Sequence, residues 1–149
     1  MATNRGVLEQ QTLPCQNSAK VLLIDDDKRL SEVVEALLTA EGYAVNSASD
    51  GLEGLSAIRK HNPSVVVLDI QMPHMDGIEV LSRMRSHPHL QHIPVILASA
   101  ERGVSGIAQR FSHTSAIQKP FDLMQLVKMV NTTLATRSPS LPEKLAIAN

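Results

Sequence analysis

Asp69 ends an apolar run, Val65-Val66-Val67-Leu68, and Ile70-Gln71-Met72-Pro73 follows it. A second apolar run, Val21-Leu22-Leu23-Ile24, ends in Asp25-Asp26-Asp27, and a third, Val95-Ile96-Leu97-Ala98, ends in Ser99. Lys119-Pro120 closes a fourth, Ala116-Ile117-Gln118. Carboxylates, a hydroxyl and an ammonium thus recur at strand exits, the edge of an open parallel sheet where ligands bind. Three clustered carboxylates repel one another and are costly to keep charged in a crevice. A hard divalent cation relieves the repulsion, and oxygen ligands with room for water and a phosphate suit Mg²⁺. Asp69 would then be the nucleophile, attacking a phosphoryl group to give an acyl phosphate. Mg²⁺ and Lys119 would neutralise charge on the transferring oxygens. Ser99 could donate a hydrogen bond to them, and the Gln71 carbonyl lies within loop reach of the metal.

Positioning these groups requires five strands alternating with five helices. Val21–Ile24 reads as the first strand. Leu30, Val33, Val34, Leu37 and Leu38 mark one face of a helix that Gly42 stops. Tyr43–Val45 is a short second strand. Asp50 and Glu53 form a capping pair before Leu52, Leu55 and Ile58 at helical spacing. Val65–Leu68 is apolar throughout and predicts a central strand buried on both faces. A turn at Asp76-Gly77 leads into a helix carrying Ile78, Leu81 and Met84, which His87-Pro88 breaks. Pro94–Ala98 is the fourth strand. Val104, Ile107, Ala108 and Phe111 suggest a fourth helix, weakened by Gly103 and Gly106. Ser115–Gln118 is the last strand, and Asp122 with Gln125 caps a helix whose apolar face is Leu123, Leu126, Val127, Val130 and Leu134. Such alternation argues for a doubly wound α/β fold with a parallel sheet and right-handed crossovers. In the strand order 2-1-3-4-5, strands one and three are neighbours at the switch point, which brings Asp25, Asp26 and Asp69 together.

At 149 residues the chain fits one domain with some length for tails. Residues 1–18 read as a mobile leader and 137–149, with Pro139 and Pro142, as a tail. Tyr43, Phe111 and Phe121 are the only aromatics, so no platform exists for stacking single-stranded nucleic acid. A net charge of -1 without a basic block argues against direct nucleic-acid binding. The lone Cys15 excludes a disulfide framework and points to a reducing compartment, the cytoplasm. No apolar run approaches membrane-spanning length, and the leader is not a secretory signal. His87, His89 and His92 straddle Pro88 and read as solvated loop residues, Met72, Met75 and Met84 as packing, and Asp27 as a helix cap.

These motifs together resemble the receiver domain of two-component response regulators, a flavodoxin-like fold. The resemblance rests on Val21-Leu22-Leu23-Ile24-Asp25-Asp26-Asp27, on Val67-Leu68-Asp69-Ile70-Gln71-Met72-Pro73 with Asp76-Gly77, on Pro94-Val95-Ile96-Leu97-Ala98-Ser99-Ala100, and on Lys119-Pro120-Phe121. It covers roughly residues 19–136, and four motifs in order make it specific. It implies that Asp69 accepts a phosphoryl group from a phosphohistidine on a sensor histidine kinase or a histidine phosphotransfer protein. It implies Asp25, Asp26, Asp69 and the Gln71 carbonyl as Mg²⁺ ligands, Lys119 as phosphoryl contact, Ser99 as switch hydroxyl, and a cis bond before Pro120. Since no second domain follows residue 136, the expectation is a single-domain regulator that signals by contact with a downstream protein. It would not be a turnover enzyme, catalysing only its own phosphoryl gain and hydrolysis.

Two departures stand out. Three residues before Lys119, where the family usually has Tyr or Phe, this chain has Ala116. The Ser99-to-Lys119 interval is about two residues shorter than in the chemotaxis member, and His113-Thr114 replaces the usual Gly-Ala. A short or irregular fourth helix and a readout unlike the aromatic-gated scheme are therefore expected. The alternative function is a receiver-like adaptor that works unphosphorylated. A phosphatase would need a second acid where Gln71 stands, and a flavin phosphate would be repelled by Asp25-Asp26-Asp27 unless a metal intervened.

Overall fold

A computed structural model describes residues 18–136. The expected leader and tail, Cys15 included, otherwise lie outside the described residues. Five parallel strands, β1 (Lys20–Ile24), β2 (Ala44–Ala48), β3 (Val65–Asp69), β4 (Val95–Ser99) and β5 (Thr114–Gln118), form one sheet in the order β2-β1-β3-β4-β5. Between and after them run α1 (Lys28–Ala40), α2 (Gly51–His61), α3 (Gly77–Ser86), α4 (Val104–Gln109) and α5 (Leu123–Ala135). Strand side chains alternate between two cores. Leu22, Ile24, Val66 and Leu68 pack on one face with Leu55, Ile58, Val80, Leu81 and Met84 of α2 and α3. Val21, Leu23, Val65, Val67 and Ile96 pack on the other with Val34 and Leu38 of α1 and Leu126, Val127 and Val130 of α5. β3 is buried along its whole length, as its unbroken apolar run requires.

The helices start where the sequence offers oxygen acceptors. Asp27, Asp50, Asp76 and Asp122 each accept from a backbone N–H of the first turn, of Leu30, Glu53, Glu79 and Met124 respectively. Glu53 reaches back to the N–H and hydroxyl of Ser49, completing a capping box of slightly altered register. Asp122 caps through Met124, while the Gln125 N–H bonds the Asp122 main-chain carbonyl.

Several boundaries and faces depart from the pattern reading, among them β4, which runs Val95–Ser99 rather than Pro94–Ala98, and β5, which starts at Thr114 rather than Ser115. β2 begins at Ala44 and runs on through Asn46 and Ser47. It pairs with β1 alone, so half of its surface can be polar, and the alternation that marks a buried strand is lost. Tyr43 precedes it, its hydroxyl paired with the Asn131 side chain of α5. Val33 and Leu52, expected on buried faces, are 49% and 62% exposed. α2 instead turns Gly51, Gly54, Leu55 and Ile58 inward. A Cβ at Gly54 would lie 2.6 Å from the Ile24 side chain, so the glycine is what lets the helix sit this close to β1. α4 is only six residues long and ends before Phe111; it has no side-chain cap, and Gly103 precedes it at φ 89°. The short fourth helix expected from Gly103, Gly106 and the shortened interval is thus what forms.

Candidate functional site

The register carries the site. β1 and β3 pair side by side with Ile24 opposite Leu68, so Asp25 and Asp69, the next residues on each, emerge together. One carboxylate oxygen each from Asp25, Asp26 and Asp69 lie within 4.8 Å of one another. Among the described residues this is the only group of three or more His, Cys, Asp or Glu so arranged. His87 and His89 instead form a tilted ring pair in the loop, the His89 N–H donating to His87 Nδ1.

The three aspartates differ in exposure, and each has its own tether. Asp26 is exposed and opens the cluster to solvent. Asp25 is half-shielded; its Oδ1 accepts the Asp27 N–H at 2.9 Å and its own N–H donates to Ala48 O across the sheet. Asp69 is buried, 4% exposed. Lys119, delivered by β5 and followed by a cis bond to Pro120, places Nζ 2.8 Å from Asp25 Oδ2 and 3.3 Å from Asp69 Oδ1. Its main-chain N–H donates to Ser99 O at 2.8 Å, locking the ends of β4 and β5 together.

The electrostatics follow from this crowding. Burial first, then repulsion from Asp25, pushes the Asp69 carboxyl from 3.8 up to about 6. Lys119 and a backbone hydrogen bond from Gln71 pull it down without offsetting the rise. Burial works against the Lys119 ammonium, yet hydrogen bonding and attraction to Asp25, and then to Asp69, win and hold its pKa above the usual lysine value. The lysine is a firm cation shared by two carboxylates, and it neutralises only part of their charge.

Ser99 is wholly buried at the end of β4, one residue beyond Ala98, the register partner of Asp69. Its Oγ accepts the Glu101 N–H at 3.0 Å, which leaves the O–H able to donate toward the site. Gln71 is exposed, with its backbone on the Asp69 side of the loop. Ala116 sits on β5, packed against the same core as Ile107 and Phe111.

Pattern reading did not single out how tightly Gly77 is held. It opens α3 directly against the site strand, and a Cβ there would come within 2.3 Å of the Asp69 carbonyl oxygen. Its N–H donates to Ile70 O at 2.8 Å, folding the 70–77 loop back on the end of β3. The Asp-Gly pair signals a turn, but not that the glycine faces the backbone of Asp69 itself.

The donor set fits a magnesium ion. It is all-oxygen and anionic, one member reaches solvent, and the innermost carboxylate is disfavoured in its charged form until positive charge arrives.

The chain is similar to known proteins. Residues 21–131 match the family model described as the response regulator receiver domain. The response regulator MprA of Mycobacterium sp. (strain KMS) is 34% identical over 125 residues, covering 80% of this chain and 52% of that protein. PleD of Caulobacter vibrioides is also 34% identical, over 117 residues, covering 77% of this chain and 26% of that protein. The chain thus matches about half of one relative's length and a quarter of the other's. Among solved structures, the Francisella response regulator 1452 receiver domain aligns with a TM-score of 0.75 at 29% identity, over 81% of this chain and all of that one. Vibrio cholerae chemotaxis protein CheY4 aligns at 0.72 and 28% identity, over 78% of this chain and 98% of that one. The chain belongs to the response regulator receiver family. No helix among the described residues is long and apolar enough to cross a membrane.

Proposed function

We propose that this domain is a cytoplasmic phosphorylation switch. Asp69 accepts a phosphoryl group from a phosphohistidine on a sensor histidine kinase or a histidine phosphotransfer protein, and the phosphorylated domain signals by contact with a downstream protein. The observation that carries the reading is the convergence of Asp25, Asp26 and Asp69 within 4.8 Å, with Lys119 bridging two of them. When held by the three carboxylates and the Gln71 carbonyl, Mg²⁺ supplies positive charge to the transferring oxygens.

The residues divide the work. An Asp69 oxygen attacks phosphorus, a P–O bond forms, and the P–N bond to the donor imidazole breaks. The imidazole leaves with the electron pair and takes up a proton. Lys119 offers its ammonium to the developing phosphoryl charge, and Ser99 donates its hydroxyl. A groove of about 320 Å³ beside Lys119, lined by Asp27, Leu30, Ala100, Pro120 and Phe121, gives the donor an approach. The domain catalyses its own phosphoryl gain and loss and turns over no separate substrate.

Incubation with acetyl phosphate and Mg²⁺ tests this by intact mass. Wild type gains one phosphoryl group, and Asp69→Asn gains none. Unmodified wild type, or equal labelling of Asp69→Asn, overturns the reading. Ala116, in place of a bulky aromatic, favours the adaptor alternative to one extent: partner binding that survives Asp69→Asn is its signature.

A further inference from the structure

Ser31 lies on the inner face of α1, 9% exposed, and no protein group pairs with its Oγ. Its N–H already bonds the Asp27 carbonyl in the helix ladder. A serine with a buried, unpartnered hydroxyl is out of place among Val34 and Leu38, the other buried residues of that helix. Its position has a second feature. A small, partly open pocket of about 20 Å³ lies between α1, α5 and the sheet, next to the acidic cluster. Ser31, Asp25 and Asp69 line it, and every other lining residue is apolar.

That volume holds one water molecule, for which roughly 10–15 Å³ suffices, and a buried water needs two to four polar partners. The three polar side chains meet the requirement without remainder. A water there would accept the Ser31 O–H and donate one hydrogen to Asp25 and one to Asp69. The carboxylates have acceptor capacity for it: a carboxylate offers about four lone-pair sites. Asp25 uses one for the Asp27 N–H and one for Lys119.

We propose that Ser31 is a positioning residue for the phosphorylation site, acting through one fixed water that ties α1 to Asp25 and Asp69. The water hydrogen-bonds both carboxylates and sets their orientation toward the cation. It is the outer-shell hydrogen bonding that ligating carboxylates commonly receive. The inference rests on the Mg²⁺-dependent reading of the site for its consequence, though not for the water itself.

The isosteric pair Ser31→Thr and Ser31→Val separates hydroxyl from shape. Both are β-branched and of similar helix propensity, so a merely structural effect moves them together. Two measurements apply to each folded variant. Water ¹⁷O relaxation dispersion on the metal-free protein should show a long-lived internal water in wild type and Ser31→Thr that Ser31→Val lacks. Calorimetric titration with Mg²⁺ should show Ser31→Thr close to wild type and Ser31→Val weaker by roughly tenfold, the size of outer-shell effects on metal affinity. Equal Mg²⁺ affinity in the two variants overturns the proposal, as does an internal-water signal unchanged by Ser31→Val. A hydroxyl turned back onto the Asp27 carbonyl would give both of those results. If the domain fails to take phosphate from acetyl phosphate while the water and affinity differences stand, the switch reading has failed and the Ser31 water has not.

Discussion

Asp69 is held in a state that a cation would relieve. Its carboxyl is raised to about 6 by burial and by Asp25, so the metal-free native state binds a proton more tightly than the unfolded chain does. Between pH 4 and 6 the native state therefore carries the extra proton, and stability falls as pH rises through that window. Above it the full penalty is present, at most about 3 kcal/mol for a shift of this size. Asp69→Asn removes the buried charge. In chelator at pH 7.5 the variant should unfold at a higher temperature than wild type, and the gap should close on approach to pH 4. A variant less stable than wild type at pH 7.5 would mean that Asp69 is not under electrostatic strain. At this scale the sequence is most legible for charge: an aspartate directly after an apolar strand has no packing reason to be there, which exposes Asp25, Asp26 and Asp69. Ser31 and Gly77 were less legible because their importance lies in a distance to another element. Nothing in the helical pattern around Ser31, or in the turn around Gly77, encodes what lies opposite.

Among the elements, α4 is the weakest by construction. Its six residues include Gly106, and its start lacks a side-chain cap. A Cβ at Gly106 meets nothing within 4 Å, so Gly106→Ala should raise stability by about 0.5–1 kcal/mol in chemical denaturation. A loss of stability would show that α4 is not the relaxed helix described here. The same weakness bears on output. Ser99 accepts from Glu101 just before α4, and Ala116, packed against the same core as Ile107 of that helix, carries no aromatic ring. The turn between α4 and β5 is anchored separately: Arg85 of α3 donates to the carbonyls of Ser112 and His113 and to the Thr114 hydroxyl. Element existence was readable, since the four-residue apolar runs of β1, β3 and β4 alternate with helical periods. Three of the departures have one cause. β2 at the sheet edge, Val33 and Leu52 all lie where one side of an element faces solvent, and there apolar periodicity under-determines both boundary and rotation.

For the whole molecule, the sheet order turns scattered motifs into one site. Crossing from β1 to β3 past the switch point brings carboxylates 44 positions apart in sequence, at Asp25 and Asp69, onto one sheet edge. A cation that binds only the folded cluster must stabilise the entire domain. Mg²⁺ at ten times its dissociation constant should add about 1.4 kcal/mol and raise the thermal midpoint by several degrees. Ca²⁺-free buffer with Mg²⁺ titrated to millimolar levels provides the measurement, and an unmoved midpoint would count against the metal site. The fold was legible because a doubly wound sheet is specified by alternation and by strand exits.

The most direct measurement is chemical trapping of the acyl phosphate. After reaction with acetyl phosphate and Mg²⁺, borohydride reduction converts a phosphorylated aspartate to homoserine, and peptide mass mapping locates it. Homoserine is expected at position 69 alone, dependent on Mg²⁺ and lost when Lys119 is replaced by methionine. Homoserine at Asp25, Asp26 or another carboxylate, or none at any position, would contradict the role assigned to Asp69.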